Sequence, residues 1–326
     1  MDRGSNHTPA TLSEQSHPRT FRENRFVYPV LSRRSGGISV GINLNPDKAC
    51  NFDCIYCQVD RSVKMPEFFV GIEQLAAELT EVLTGLRSAG ILPACCETDK
   101  TATGRQDPCG TFGALWMEPE FAALPPDKRH VADIAFSGDG EPTTFKNFTE
   151  VIARCIDVKE ALGFHSQAVV LITNATGLDR PEVKRGLELM DRHHGEVWAK
   201  LDAGTAEYFA LIDNTPFPFA KVLQNIQECA RARSVVIQSC FMKVNGAGPA
   251  DSEISAFVDR LNTLRNSGGM ISRVQVYTIA RAPAYSYVSS LSDAEVNAIV
   301  ERVRTETGLA ALPYYGDVSE GRGTIE

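Results

Sequence analysis

Between residues 38 and 278 the chain repeats one alternation, a short apolar run followed by an amphipathic stretch. This restricts the fold more than any other feature. Runs at 38–44, 133–137, 168–173, 196–201, 235–241 and 273–278 have the length and side chains of buried strands. The first five are each followed by apolar residues at helical spacing, at 71–86, 146–162, 181–192, 219–231 and 252–265. Pro181 stands where a first-turn proline is tolerated, with Asp179 as a candidate cap. Strand–helix alternation of this kind implies an α/β fold of parallel strands joined by right-handed crossovers. Six units form an open or partial barrel, short of the eight that close a TIM barrel. Polar residues at the strand C-termini are then the ones to read for chemistry.

The first strand feeds a loop holding Cys50, Cys54 and Cys57, spaced C-x3-C-x2-C. A sulfur-only ligand set favours an iron–sulfur cluster or zinc over hard cations. Three thiolates leave one metal position open, as catalytic sites do. Structural zinc wants a fourth ligand, which His130 or His165 supplies only if the fold brings it there. A redox pair of Cys54 and Cys57 is a third reading, against which Cys50 speaks.

The second strand ends Ser137-Gly138-Asp139-Gly140-Glu141-Pro142-Thr143. Glycines flanking an acid permit close backbone approach and place an acceptor for an ammonium group, although a tight turn explains them equally well. Asn174 and Asp202, at the next two strand ends, read either as hydroxyl partners for a ligand or as Asx turns. Lys200 and Lys243 read as surface ion pairs or, if a buried mouth lowers their pKa, as Schiff-base lysines.

The cysteine triad followed one strand later by this glycine–acid turn resembles the radical SAM superfamily. The resemblance implies a partial (β/α)6 TIM-like barrel and a 4Fe-4S cluster on Cys50, Cys54 and Cys57. It also implies S-adenosylmethionine chelating the fourth iron. Reductive cleavage would then give a 5′-deoxyadenosyl radical that abstracts hydrogen from a small metabolite or a tRNA base. By the same resemblance Gly138, Asp139, Gly140 and Glu141 bind the methionyl part, with Asp139 replacing the family's second glycine, and Tyr56 packs near adenine. Asn174 and Asp202 are further cofactor candidates, and an external flavodoxin- or ferredoxin-like donor supplies the electron. A narrower similarity, covering most of 27–310, is to stand-alone Fe-S oxidoreductases related to the wyosine-tRNA synthases. It rests on Val30-Leu-Ser32-Arg33-Arg34, the cysteine loop, Phe136 to Pro142, Thr173-Asn174, Leu201 to Gly204 and Ala280 to Pro283. The synthases' extra N-terminal cysteine set is absent, since no cysteine precedes Cys50.

Nine cysteines without a disulfide framework point to a reducing, cytoplasmic setting, and no run is long enough for a membrane span. The net charge of −8 speaks against bulk attraction to nucleic acid. Arg19, Arg22, Arg25, Arg33 and Arg34 form a local basic cluster, read as a solvated arm. It leaves one alternative from another class, a zinc-stabilised RNA-binding module without catalysis. The expected layout is a disordered tail at 1–24, a core at 25–283, and a C-terminal helix and tail at 284–326 capping the barrel edge. Within the core, 92–130 reads as an inserted loop or lid carrying Cys95, Cys96 and Cys109. Cys155, Cys229 and Cys240 read as packing residues.

Overall fold

The computed structural model describes residues 19, 21–61, 69–92, 121, 124–281, 283 and 285–316. The expectations for 1–18, for most of the insertion with Cys95, Cys96 and Cys109, and for 317–326 lie outside the described residues. The architecture is α/β, built on a mostly parallel eight-stranded sheet. Its strands are β1 (Val27–Leu31), β2 (Ile38–Ile42), β3 (Val131–Phe136), β4 (Ala168–Thr173), β5 (Gly195–Lys200), β6 (Val235–Cys240), β8 (Ile271–Tyr277) and β10 (Ala311–Tyr314), hydrogen-bonded in that order. A separate antiparallel ribbon pairs β7 (Met242–Val244) with β9 (Val288–Ser290). The helices are α1 (Ile72–Ser88), α2 (Phe148–Ala161), α3 (Pro181–Asp191), α4 (Ala206–Ile212), α5 (Phe219–Ala232), α6 (Asp251–Asn266) and α7 (Asp293–Thr307).

The six expected strands are the parallel middle of this sheet, and two edge strands extend it. β1 runs antiparallel to β2, and β10 lies parallel to β8. The C-terminal segment, expected as a helix and tail on the barrel edge, contains this last strand. β10 supplies the hydrogen bonds to β8, and α7 packs on β10 and α6. Helix α7 begins as its sequence implies, with Ser292 and Glu295 in a capping box. Asp179 does not cap α3: the N-cap is Arg180, and Asp179 pairs with Lys221 at 2.7 Å. Arg19 and residues 21–24 pack on the domain, with Asn24 buried and the Phe21 ring edge-on to Phe121.

Strand side chains alternate between two cores, as the pleat requires. Ile134, Phe136, Leu171, Val197, Ile237 and Val274 join the helices in the large core. Ala135, Val170, Trp198 and Val236 form a separate small cluster on the opposite face. That face curls around a cavity, and the β1–β2 turn reaches towards β10: Arg33 donates to the Tyr315 carbonyl, and the Tyr314 hydroxyl lies 3.5 Å from the Arg34 carbonyl. At the start of β1, buried Glu78 of α1 accepts from three successive amides, Arg25, Phe26 and Val27, at 3.1, 2.8 and 3.1 Å.

Candidate active-site cavity

The concave face of the sheet and the loops at its C-terminal rim enclose a cavity of about 280 Å3. Cys50, Cys54 and Cys57 line it together with Tyr56, Gly138, Gly140, Glu141 and Asn174. Side chains from seven strands or their ends, from Val30 to Tyr277, complete its wall. Residues 100 or more apart in sequence thus meet at one rim.

The cysteine loop is shaped by its own polar residues. Asn43 accepts from the Asn45 amide at 3.0 Å, Asp47 accepts from the Ala49 amide at 3.1 Å, and Lys48 takes a left-handed φ of 61°. Arg61, which the sequence reading passed over, ties the loop shut. Its Nε donates to the Lys48 carbonyl at 3.1 Å, Nη2 to the Asp139 carbonyl at 2.7 Å and Nη1 to the Cys57 sulfur at 3.0 Å. Its place four residues beyond Cys57 was the available signal. Burial works against the Arg61 charge, but the Cys57 bond and the potential of the three thiols raise its pKa above the ordinary value. Burial pushes the Cys50 thiol up, and it pushes Cys54 well up, with the nearby Asp213 carboxyl adding to that. Ligation of a metal must release these protons, which a guanidinium beside the triad favours.

No group of three Cys, His, Asp or Glu side chains is arranged around a single ion among the described residues. The expected zinc partners lie elsewhere. His130 sits against Gly37 at the start of β2, and His165, just before β4, pairs with Glu160 on the surface. Three thiols on one cavity wall, with an adjacent cation and no imidazole, fit a polynuclear sulfur-ligated cluster better than a tetrahedral zinc ion.

The glycine–acid turn has a packing role that can be stated atom by atom. A Cβ on Gly140 would lie 2.0 Å from the Ala49 carbonyl oxygen, and one on Gly138, at φ +152°, would meet the Asn43 side chain. These glycines let the β3 turn abut the cysteine loop. Glu141 is buried, and its Oε1 accepts from the Thr143 amide (3.1 Å) and from the Thr143 and Thr173 hydroxyls (each 2.6 Å). Its Oε2 accepts from the Asn174 amide at 2.7 Å. Burial raises the Glu141 pKa, and these hydrogen bonds oppose that shift. The carboxyl therefore fastens the end of β4 to the turn. Asp139 is held by Asn43 at 2.6 Å and Arg19 at 2.5 Å. The Asn174 side chain forms an Asx turn, accepting from the Thr176 amide at 3.1 Å, while its Nδ2 donates to Asn51 at 2.8 Å.

Tyr56 and Asp202 are brought together. The Tyr56 hydroxyl donates to Asp202 Oδ2 at 2.5 Å, and Asp202 Oδ1 accepts from the Cys240 amide at 2.7 Å. Lys200 Nζ lies 2.9 Å from Asp202, 2.8 Å from the Tyr277 hydroxyl and 4.8 Å from the Tyr56 ring centre. Burial alone would lower the Lys200 pKa, but Asp202 together with Tyr277, Cys54 and Cys240 reverses it, and the net shift is well upward. A Schiff-base role needs a neutral amine, so that expectation for Lys200 is corrected. Lys243 pairs with Glu295 at 3.1 Å at the surface. Asp213, behind Cys54, is pushed up to about 8 by burial and the neighbouring Asp202 charge. Cys155, Cys229 and Cys240 are buried packing residues.

No family model matches the chain. It is 22% identical over 294 residues to a GTPase Obg of Brachyspira hyodysenteriae, a match that takes in 88% of this chain and 35% of that protein. It is 23% identical over 255 residues to a UPF0026 protein of Helicobacter pylori strain J99, covering 75% of this chain and 65% of that one. The chain thus spans about a third and about two thirds of these two relatives. The phosphate-binding G-x-x-x-x-G-K-[ST] pattern does not occur in this sequence. The crystal structure of archaeal TYW1 is similar at 12% identity and a TM-score of 0.39, over 84% of this chain and 73% of that chain.

Proposed function

We propose that this chain is a radical SAM enzyme on a partial (β/α)6 barrel, with Cys50, Cys54 and Cys57 holding a 4Fe-4S cluster. The observation that carries the reading is that the three cysteines, Arg61, Gly138, Gly140 and Glu141 all line one cavity, with Arg61 bridging Cys57 and the Asp139 carbonyl. A cluster held by these cysteines would supply one-electron reduction, the chemistry that turns S-adenosylmethionine into a source of radical reactivity. The chain's residues bind and orient. Arg61 donates to the Cys57 sulfur and fixes the loop against Asp139. By the family resemblance, the turn from Gly138 to Glu141 would receive the methionyl part. Tyr56, pinned by Asp202, lines the cavity beside Cys57, and Ala135, Ile172 and Trp198 add apolar surface to its wall. An external flavodoxin- or ferredoxin-like donor and a cytoplasmic, reducing setting belong to the same reading. No helix among the described residues is long and apolar enough to cross a membrane.

Anaerobic reconstitution tests it. The wild-type protein is expected to take up iron and sulfide with a visible charge-transfer band, and Cys50→Ala, Cys54→Ala and Cys57→Ala each to lose it. Reduced with dithionite, it is expected to form 5′-deoxyadenosine from S-adenosylmethionine. Stoichiometric zinc without iron would sink the proposal.

A further inference from the structure

We propose that the arginine-rich side of the cavity is a subsite for the phosphate group of a small phosphorylated substrate. Arg34 and Arg281 would hold the phosphate, with the body of the molecule directed towards the side-chain amide of Gln238. This deepens the radical-enzyme reading and rests on it, because it names the class of molecule presented to the radical.

Five cations line the cavity (Arg19, Arg34, Arg61, Lys200 and Arg281) against two carboxylates, Asp133 and Glu141. In a chain of net charge −8 this is a local inversion of sign. Three of the five already have anionic or sulfur partners. Lys200 serves Asp202, Arg61 serves the cysteine loop, and Arg19 pairs with Asp139. Arg34 and Arg281 are differently placed. The Arg34 guanidinium lies against the Tyr277 and Trp198 rings, 5.2 and 6.0 Å from their centres. Such stacking orients the plane and leaves its N–H edge for a planar or tetrahedral anion. Arg281 carries a buried Nε with no hydrogen-bond partner among the described residues. Burial and the charges of Arg34, Arg19 and Arg33 lower its pKa to about 10. Native proteins rarely leave such a donor unmet unless a ligand meets it.

A second orphan faces the same space. Gln238 is fully buried, and its Nε2 donates to Gln275 at 2.7 Å while its Oε1 has no partner. A ligand hydroxyl or amine would satisfy it. Mutual repulsion among arginines this close is offset further by a dianion than by a monoanion, which favours a phosphomonoester over a carboxylate. The cavity's volume of about 280 Å3 favours a small molecule over a nucleic acid, whose backbone needs an extended basic track.

Titration calorimetry on the full chain with inorganic phosphate, at constant ionic strength, tests the assignment. Saturable binding is expected, weakened roughly ten-fold or more in Arg34→Gln and in Arg281→Gln, as loss of a charge-assisted fork predicts. Arg281→Lys, which keeps the charge and loses the fork, is expected to fall between. Arg87→Gln, remote on α1, is expected to bind as wild type does. Unchanged phosphate affinity in folded Arg34→Gln and Arg281→Lys overturns the proposal. So does acetate binding as tightly as phosphate, displacement of phosphate by S-adenosylmethionine, or binding of a short RNA without binding of phosphate. The Cys50→Ala protein, lacking a cluster, is expected to retain phosphate binding. Failure of the radical-enzyme reading appears as missing iron and missing 5′-deoxyadenosine, whereas failure of this one appears as missing phosphate binding with both present.

Discussion

Single atoms decide much at the rim of this cavity. At Gly140 an added methyl would occupy the position of the Ala49 carbonyl, and backbone cannot yield as a flexible side chain does. Gly140→Ala is expected to cost about 3 kcal/mol of stability by overpacking and to lower iron uptake on reconstitution, both read on one preparation. Away from the cavity, Glu160 gives a pH signature. Burial opposes ionisation of its carboxyl, but hydrogen bonds with His165, Lys159 and His193 overcome this and lower its pKa from 4.5 to about 2. A depressed carboxyl pKa stabilises the fold above the unfolded value, and the gain is lost as pH falls from about 4.5 through about 2. Urea midpoints of wild type and Glu160→Gln should therefore differ at pH 6 and converge towards pH 2.5. The legibility of such residues was uneven. The three cysteines and the Gly138–Glu141 turn stood out because their spacing is short-range. Arg34 was legible only as part of a basic arm, and Arg61 and Gln238 not at all, because the partners that give them meaning are far off in the chain, as with Arg34 over the Tyr277 ring.

Among the elements, the parallel strands were legible through their apolar runs, and the edge strands were not. The reason is proline. β1 contains Pro29 and β10 contains Pro313, each of which interrupts a strand signal and is tolerated at a sheet edge where one row of donors has no partner. Helix α4, seven residues long, is too short to show a period. The link between α1 and β1 was equally hidden, since a glutamate at a helical position reads as a solvent-facing residue. Glu78→Ala removes the acceptor of three successive amides, two of them buried, and is expected to cost about 3 kcal/mol. Amide exchange in 25–31 should accelerate more than exchange in β4 or β5, which localises the defect to the antiparallel edge.

Across the whole molecule, one sheet separates two environments, an oily helical layer and a charged interior, and strand alternation assigns each side chain to one of them. Removing residues 309–326 strips β10 from β8 and takes away the carbonyl to which Arg33 donates. An uncovered parallel edge is a pairing template, so this truncation is expected to elute from size exclusion as aggregates while the full chain elutes as a discrete species. The contact between Arg33 and Tyr315 joins positions 282 apart, which has a bearing on biosynthesis. Tyr315 follows in the chain every residue that lines the cavity, so the β1–β2 turn is tied to the far edge of the sheet only once synthesis has passed that point.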